Sequence, residues 1–396
     1  MIASEKIKQI AKGIHSTIIA NRRHLHQHPE LSFHEFETQK FVEQQLKSIG
    51  ITDFERVANT GIVALIKGKN PTKKVVALRG DMDALPITEE NKTDYTSQNI
   101  GVMHACGHDV HTSSLLGAAA ILFQLKEEFE GTIKLIFQPG EEKLPGGASL
   151  MIKENVLKNP TVNNIFGQHV MPFLPVGKVG FRPGLYMAST DELYVKVIGK
   201  GGHGAMPHLN IDPVLISAHI ITSLQQIVSR NANPIIPSVL SFGKVIANGA
   251  TNVIPNEVYM EGTFRTLDEK WRAEAHTKMK LMAEMIAESM GGICEFEIRK
   301  GYPFLKNDSA LTERAKNYAV EYLGKENVVD LDIWMAAEDF SYFTQELPAC
   351  FYRLGTRNEE RGITSSVHTP TFDIDENALE IGAGLMAWIA VCELGN

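Results

Sequence analysis

Asp191-Glu192-Leu193-Tyr194-Val195-Lys196-Val197-Ile198 places apolar side chains at alternate positions, Leu193, Val195 and Val197. That is the period of a strand with one face in water. The apolar runs before it read differently. Gly61–Ile66, Val75–Leu78, Thr132–Phe137 and Ile165–Val170 are short and nearly continuous. Such runs suit strands buried on both faces of a parallel sheet. Helical patterns separate them. Residues 4–28 carry Ile7, Ile10, Ile14 and Ile18 at helical spacing, with Pro29 as the stop. Further helices are expected at about 35–49, closed by Gly50, and at about 109–128. The first part of the chain is therefore predicted to be an α/β unit with a mainly parallel sheet.

The texture changes near Arg182-Pro183-Gly184. From the alternating strand onward the order is a helix at about 212–230, strands near 238–246 and 257–266, a helix at about 268–290 and a second alternating run, Ile293–Ile298. A β-α-β-β-α-β order is that of a ferredoxin-like unit. Gly301-Tyr302-Pro303 reads as a return linker. Beyond it helix and strand patterns resume and end in a helix at about 376–393. The expected organisation is a mainly parallel α/β domain in two parts, 1–183 and 300–396, with an inserted α+β domain at 184–299.

Composition bounds the function. The chain has 396 residues, 43% hydrophobic and 22% charged, with a formal net charge of −8. Two domains fit that length. The acidic balance argues against nucleic acid as a partner. Four scattered cysteines, Cys106, Cys294, Cys350 and Cys392, form no disulfide framework and suit a reducing, cytoplasmic setting. The polar N-terminal segment lacks the apolar core of a signal peptide. No apolar run is expected to reach the roughly 18 residues of a membrane span, so no membrane association is expected.

The chemistry concentrates in Met103-His104-Ala105-Cys106-Gly107-His108-Asp109-Val110-His111. Three imidazoles, a thiol and a carboxylate at this density point to a transition metal. Alone, Cys106 reads as a small buried hydrophobe. Beside His108 and Asp109 it reads as a ligand. His104 and His111 fit either an orienting role behind a ligand or plain packing. Metal ligands favour the C-terminal ends of parallel strands, where loops converge. Glu141 and Glu142 follow the strand ending at Phe137, and His169 ends the run Ile165–Val170. His368 sits in the loop Ser365–Pro370. Adjacent carboxylates on a bent loop can divide the work, one coordinating and one accepting a proton. His24, His26 and His28 alternate along a helix and are read as structural.

The segments Leu78-Arg-Gly-Asp-Met-Asp-Ala-Leu-Pro86, Met103–His111 and Gln138-Pro-Gly-Glu-Glu142 resemble the M20 peptidase and amidohydrolase family. So do Gly201-Gly-His203, Asn252-Val-Ile-Pro255, Gly262-Thr-Phe-Arg265, Ala337-Glu-Asp-Phe340 and His368-Thr-Pro370. The subgroup they resemble holds hippurate hydrolases, N-acetyldiaminopimelate deacetylases and plant auxin-conjugate hydrolases. The motifs run in family order from about residue 20 to the C-terminus.

The resemblance implies two divalent metal ions per chain, bridged by Cys106. His108 and His169 complete the ligands of one, and Glu142 and His368 those of the other. Glu141 is then the general base in hydrolysis of an N-acyl amino acid by metal-activated water. Zinc suits thiolate and imidazole best, with manganese, cobalt or nickel as alternatives. Asp83 and Asp109 are candidates for supporting the ligands from behind. Asp81 stands where relatives place a histidine ligand. Gly140 replaces an alanine common in relatives, and little is expected of that change. The inserted domain implies a homodimer or higher homo-oligomer, with His203 reaching the substrate carbonyl across it. Asn252 and Arg265 are implied to bind the substrate carboxylate. A dipeptidase or carboxypeptidase is the alternative within the family, and a non-catalytic binding relative the alternative outside enzymes.

Overall fold

The computed structural model describes residues 2–396. The chain divides into two compact units. One comprises the chain up to Tyr186 with Lys306–Ile333 and Asp339–Asn396; the other comprises Met187–Leu305 with Trp334–Glu338. The expected boundaries did not place Trp334–Glu338 with the inserted part. Backbone bonds do: Ala188 N donates to the carbonyls of Trp334 (3.2 Å) and Ala336 (3.1 Å).

The first unit is built on an eight-stranded sheet. Its order is Phe54–Val57, Gly61–Lys67, Thr132–Gln138, Val75–Asp81, Asn164–Pro175, Ala349–Arg357, Val179–Phe181 and Val328–Asp330. The four central strands run parallel, and antiparallel pairings lie to either side. Val75–Asp81 and Thr132–Gln138 are buried at every position. Residues buried on both faces give the continuous apolar texture of the sequence.

Helices cover this sheet. The single helix expected at 4–28 is two, α1 (Ser4–Gly13) and α2 (His15–Gln27), separated at Ile14. Ile14 N is shared between the carbonyls of Ile10 and Ala11, and Gly13 beside it is a weak helix former. α3 spans Phe36–Ile49 and ends on the left-handed Gly50. α4 (His108–Gln124) is buried along nearly its whole length. The last helix, Asn377–Gly395, packs beside α4. By length and composition it could cross a membrane, although Glu380 and Glu393 interrupt its apolar run. Its most apolar window is 78% buried inside the fold, so here it is a core helix.

The second unit has a four-stranded antiparallel sheet ordered Ser238–Ile246, Glu257–Thr266, Asp191–Ile198, Ile293–Lys300. With helices Pro213–Gln226 and Glu269–Ser289 this is the ferredoxin-like arrangement. Leu193, Val195 and Val197 are fully buried, as the alternation requires. Asp191 is buried as well, and its carboxylate is held by Arg272 (2.6 Å) and His276 (2.6 Å).

Candidate metal centre

The parallel register brings several strand ends level. Asp81 pairs with Gln138 across two C-termini, so Asp83 and the Glu141–Glu142 turn start from the same edge. His169 is not at a strand end, as the sequence suggested, because its strand continues to Pro175. It does lie just past Gly167, the last residue paired with Val75–Asp81. Cys106 precedes α4 and His108 is its first residue, with Gly107 between at φ 83°. A Cβ at Gly107 would lie 2.6 Å from Val170, so only glycine permits this approach. His368 also has a left-handed backbone, φ 62°, and its N–H donates to the carbonyl of Ala105 at 2.8 Å. That bond ties the loop of His368 to the loop of Cys106.

Two donor groups meet at Cys106. Cys106, His108 and His169 have ligand atoms within 4.8 Å of one another, and so do Cys106, Glu142 and His368. Cys106 Sγ lies 3.5 Å from His169 Nε2 and 3.3 Å from His368 Nε2, which is 3.2 Å from Glu142 Oε1. Glu141 lies in neither of these two groups, but with His108 and Glu142 it forms a further set within the same distance, its Oε2 3.9 Å from His108 Nε2.

Hydrogen bonds behind the imidazoles fix which nitrogen faces the centre. His108 Nδ1 lies 3.1 Å from Asp83 Oδ1, so Nδ1 carries the proton. Its Nε2 is buried and makes no hydrogen bond. His169 Nδ1 donates to the Val170 carbonyl at 2.8 Å, leaving Nε2 for Cys106. His111 is spent elsewhere. Its Nε2 accepts from Val170 N (2.9 Å) and its Nδ1 donates to Asp81 (2.5 Å). Its bonds reach Asp81 and the backbone beside His169, and neither goes directly to a candidate ligand side chain. His104 is buried, and neither ring nitrogen makes a hydrogen bond, so it packs.

Asp83 accepts four hydrogen bonds. Oδ1 accepts from His108 and from Glu141 N (3.0 Å); Oδ2 accepts from Ser32 Oγ (2.6 Å) and Glu142 N (3.0 Å). Asp81 is held by Arg79 (2.6 Å) as well as His111. Arg79 in turn binds Gln138 and Asp339, both at 2.9 Å. Asp109 bonds to Arg22 (2.8 Å) and His26 (2.8 Å), anchoring the first turn of α4 rather than a ligand imidazole. The bonds of His26 to Asp109 and to Glu89 (3.2 Å) were not visible in the sequence.

Charge at the centre suits a cation. Burial opposes a proton on His108, but Asp81, Asp83 and Glu142 outweigh it and push the imidazole up to about 10. Burial, with Glu142, Glu141 and Asp81 nearby, drives the Cys106 thiol well above its ordinary value. Burial, with Arg353 and His111, holds His169 neutral. A neutral thiol beside carboxylates is a poor acceptor, and a divalent cation reverses that by displacing its proton. The orphaned Nε2 of His108 and this thiol, imidazole and carboxylate set therefore fit a borderline-soft metal.

Gly140 corrects an expectation. It adopts φ 55°, and a Cβ there would lie 2.2 Å from the Phe33 ring. An alanine at 140 would be strained in this chain both by its backbone and by Phe33.

The other candidates lie in the second unit. His203 is exposed and pairs with Val253 in a two-stranded ladder, next to Asn252. Its Nδ1 accepts from Ala205 N (3.0 Å), so Nε2 carries the proton. Arg265 is half-buried, and its Nη1 donates to the Met335 carbonyl (3.2 Å).

The model of Peptidase family M20/M25/M40 matches residues 77–390. The chain belongs to the M20 family. It is 44% identical to an N-acyl-L-amino acid amidohydrolase of Geobacillus stearothermophilus over 301 residues, 76% of this chain and 80% of that one. It is 39% identical to Thermostable carboxypeptidase 2 of Saccharolobus solfataricus over 98% of each chain. A solved Bacillus subtilis structure, described as a dinuclear metal binding peptidase from the M20 family, superposes with a TM-score of 0.82 at 36% identity. The match covers 97% of this chain and 99% of that one. An M20 chain in which two donor groups meet at one cysteine has the side chains for two divalent metals.

Proposed function

We propose that this M20 chain is a metal-dependent amidohydrolase that cleaves the amide bond of N-acyl amino acids. The observation that carries the reading is the sharing of Cys106 by two donor groups, with Glu141 beside them. In this reading Cys106 would serve both sites, with His108 and His169 holding one metal and Glu142 and His368 the other. Zinc is the first choice for these donors, with manganese, cobalt and nickel next. Bound metal ions supply Lewis acidity and lower the pKa of a coordinated water from about 15.7 to about 7.

The residues supply the rest. Glu141 takes the proton of the attacking water and returns it to the leaving amine. General-base action of this kind contributes about 10²–10⁴-fold. The Glu142 carboxylate would hold metal, which leaves the proton transfer to Glu141. Asn252 and Arg265 bind the substrate carboxylate, the guanidinium fork matching its two oxygens. His203, with its proton on Nε2, donates to the carbonyl oxygen as negative charge develops there. It does so across a homodimer built through the second unit. All four cysteines are free, in keeping with a cytoplasmic enzyme. The similarity to a carboxypeptidase favours a second reading, cleavage of peptides with a free C-terminal carboxylate.

The test joins metal content to a substrate panel of N-acetyl, N-benzoyl and indole-acetyl amino acids with a few dipeptides, before and after chelation. Two metals per chain and chelator-sensitive cleavage of the acyl amino acids are expected. Preference for dipeptides would select the second reading. Glu141→Gln is expected to keep its metals and lose turnover. A metal-loaded variant retaining more than about a tenth of the wild-type rate would remove Glu141 from the base role.

A further inference from the structure

Glu35 immediately precedes α3, a position where a short polar side chain ordinarily caps the helix. Glu35 does not cap it. Glu30 has taken that work, accepting from Glu37 N (3.0 Å) and Thr38 N (2.9 Å). The Glu35 carboxylate turns instead to three neutral donors. Oε1 accepts from Phe33 N (2.9 Å) and Gly140 N (2.8 Å), and Oε2 accepts from Thr60 Oγ1 (2.6 Å). The residue is fully buried, where an acid without a cationic partner is costly. Burial and the charge of Asp83 push it up to about 7.

The donor at Gly140 gives this arrangement its meaning. Gly140 N, Glu141 N and Glu142 N are three successive backbone N–H groups, accepted by Glu35 Oε1, Asp83 Oδ1 and Asp83 Oδ2. Two buried acids from distant parts of the chain thus fix the peptide planes of one turn. Phe33 adds a steric stop, its backbone left-handed (φ 67°) and its ring against Gly140 where a Cβ would lie. We propose that Glu35 is a positioning residue for the general base, holding the Gly140–Glu142 turn so that Glu141 keeps its place beside the donor groups. The proposal rests on the reading of Glu141 as the base. The acid acts through its reach and its acceptor oxygens, not through a proton it exchanges.

Two substitutions separate reach from charge. Glu35→Gln keeps the length and an acceptor oxygen for Gly140 and Phe33, while the Thr60 hydroxyl can turn to accept from the new amide. Glu35→Asp keeps the charge and withdraws it by one methylene. The measurements are kcat, KM, metals per chain and melting temperature, with Glu141→Gln in the same series. Glu35→Asp is expected to lower kcat about 10–100-fold, the scale of a misplaced catalytic group. Its KM should stay within about threefold and both metals should remain bound. Glu35→Gln is expected to recover kcat to within about threefold of wild type. Wild-type kcat in the aspartate variant, a glutamine variant as slow as the aspartate one, or loss of metal in the aspartate variant would each overturn the proposal. A metal-loaded Glu141→Gln enzyme that still turns over would instead overturn the base assignment beneath it.

Discussion

At the scale of single residues, Asp83 joins His108 to the Glu141–Glu142 turn, and in the proposed reading it would serve both metal ligation and base placement. Each of its oxygens accepts from two donors: His108 and Glu141 N at Oδ1, Ser32 and Glu142 N at Oδ2. Asp83→Asn must aim an amide N–H₂ at one of these pairs. Ser32 can rotate away, but a backbone N–H cannot, and His108 Nδ1 would have to give up its proton. The substitution should weaken metal binding or activity about 10–100-fold, the usual cost of losing a group that orients a ligand. Competition with a chelator, read beside kcat, checks this, and unchanged values in both would refute the role. The ligand candidates themselves were legible, since Cys106, His108, Glu141, Glu142, His169 and His368 sit in dense motifs or after buried strands. Glu35 was not, because its meaning lies in a bond to Gly140, 105 residues away. Gly140 was misjudged for the same reason, its constraint being the ring of Phe33.

At the scale of elements, Lys134 shows how a strand secures the approach to the next. It lies on Thr132–Gln138, is 1% exposed, and its ammonium donates to the carbonyls of Val156 (2.8 Å), Lys158 (2.8 Å) and Pro160 (3.0 Å). These carbonyls belong to the loop that enters Asn164–Pro175, the strand of His169. Lys134→Met keeps the apolar stem and strands three acceptors. At about 1–3 kcal/mol for a buried polar group left unmade, with partial relaxation of the loop, a loss of about 2–4 kcal/mol is expected. Denaturant unfolding measures it, and a change below about 0.5 kcal/mol would mean the loop needs no clasp. The sequence shows Lys134 as one polar residue in an apolar strand and gives no hint of the carbonyls. Element boundaries were legible where texture marked them, as at Gly50 and in Asp191–Ile198. The division of the first helix was not, since Ile14 keeps the apolar spacing through the break.

At the scale of the whole molecule, burial of histidines couples this fold to pH. Burial holds His104, His111 and His169 below the ordinary imidazole value, and His104 is lowered to about 4. Around His104, Asp109 and Asp83 favour the charged form and His26 and His108 oppose it, but burial dominates. A histidine with a depressed folded pKa binds fewer protons folded than unfolded between about pH 4 and 6.5. Its contribution is therefore intact above pH 6.5 and is lost as pH falls through that window. For His104 alone the linkage amounts to about 2 kcal/mol at pH 5. His104→Leu removes this titration while filling the site with an apolar side chain. The variant differs from wild type by some fixed amount at pH 8, set by packing. Between pH 8 and pH 5 the wild type should lose about 2 kcal/mol more than the variant. Urea unfolding at the two pH values, with metal loading held constant, gives the difference directly. Parallel losses would show that His104 takes up its proton in the folded protein, against the burial that surrounds it, whereas a shallower acid limb in the variant would trace part of the acid sensitivity of the whole chain to one imidazole beside the ligand loop.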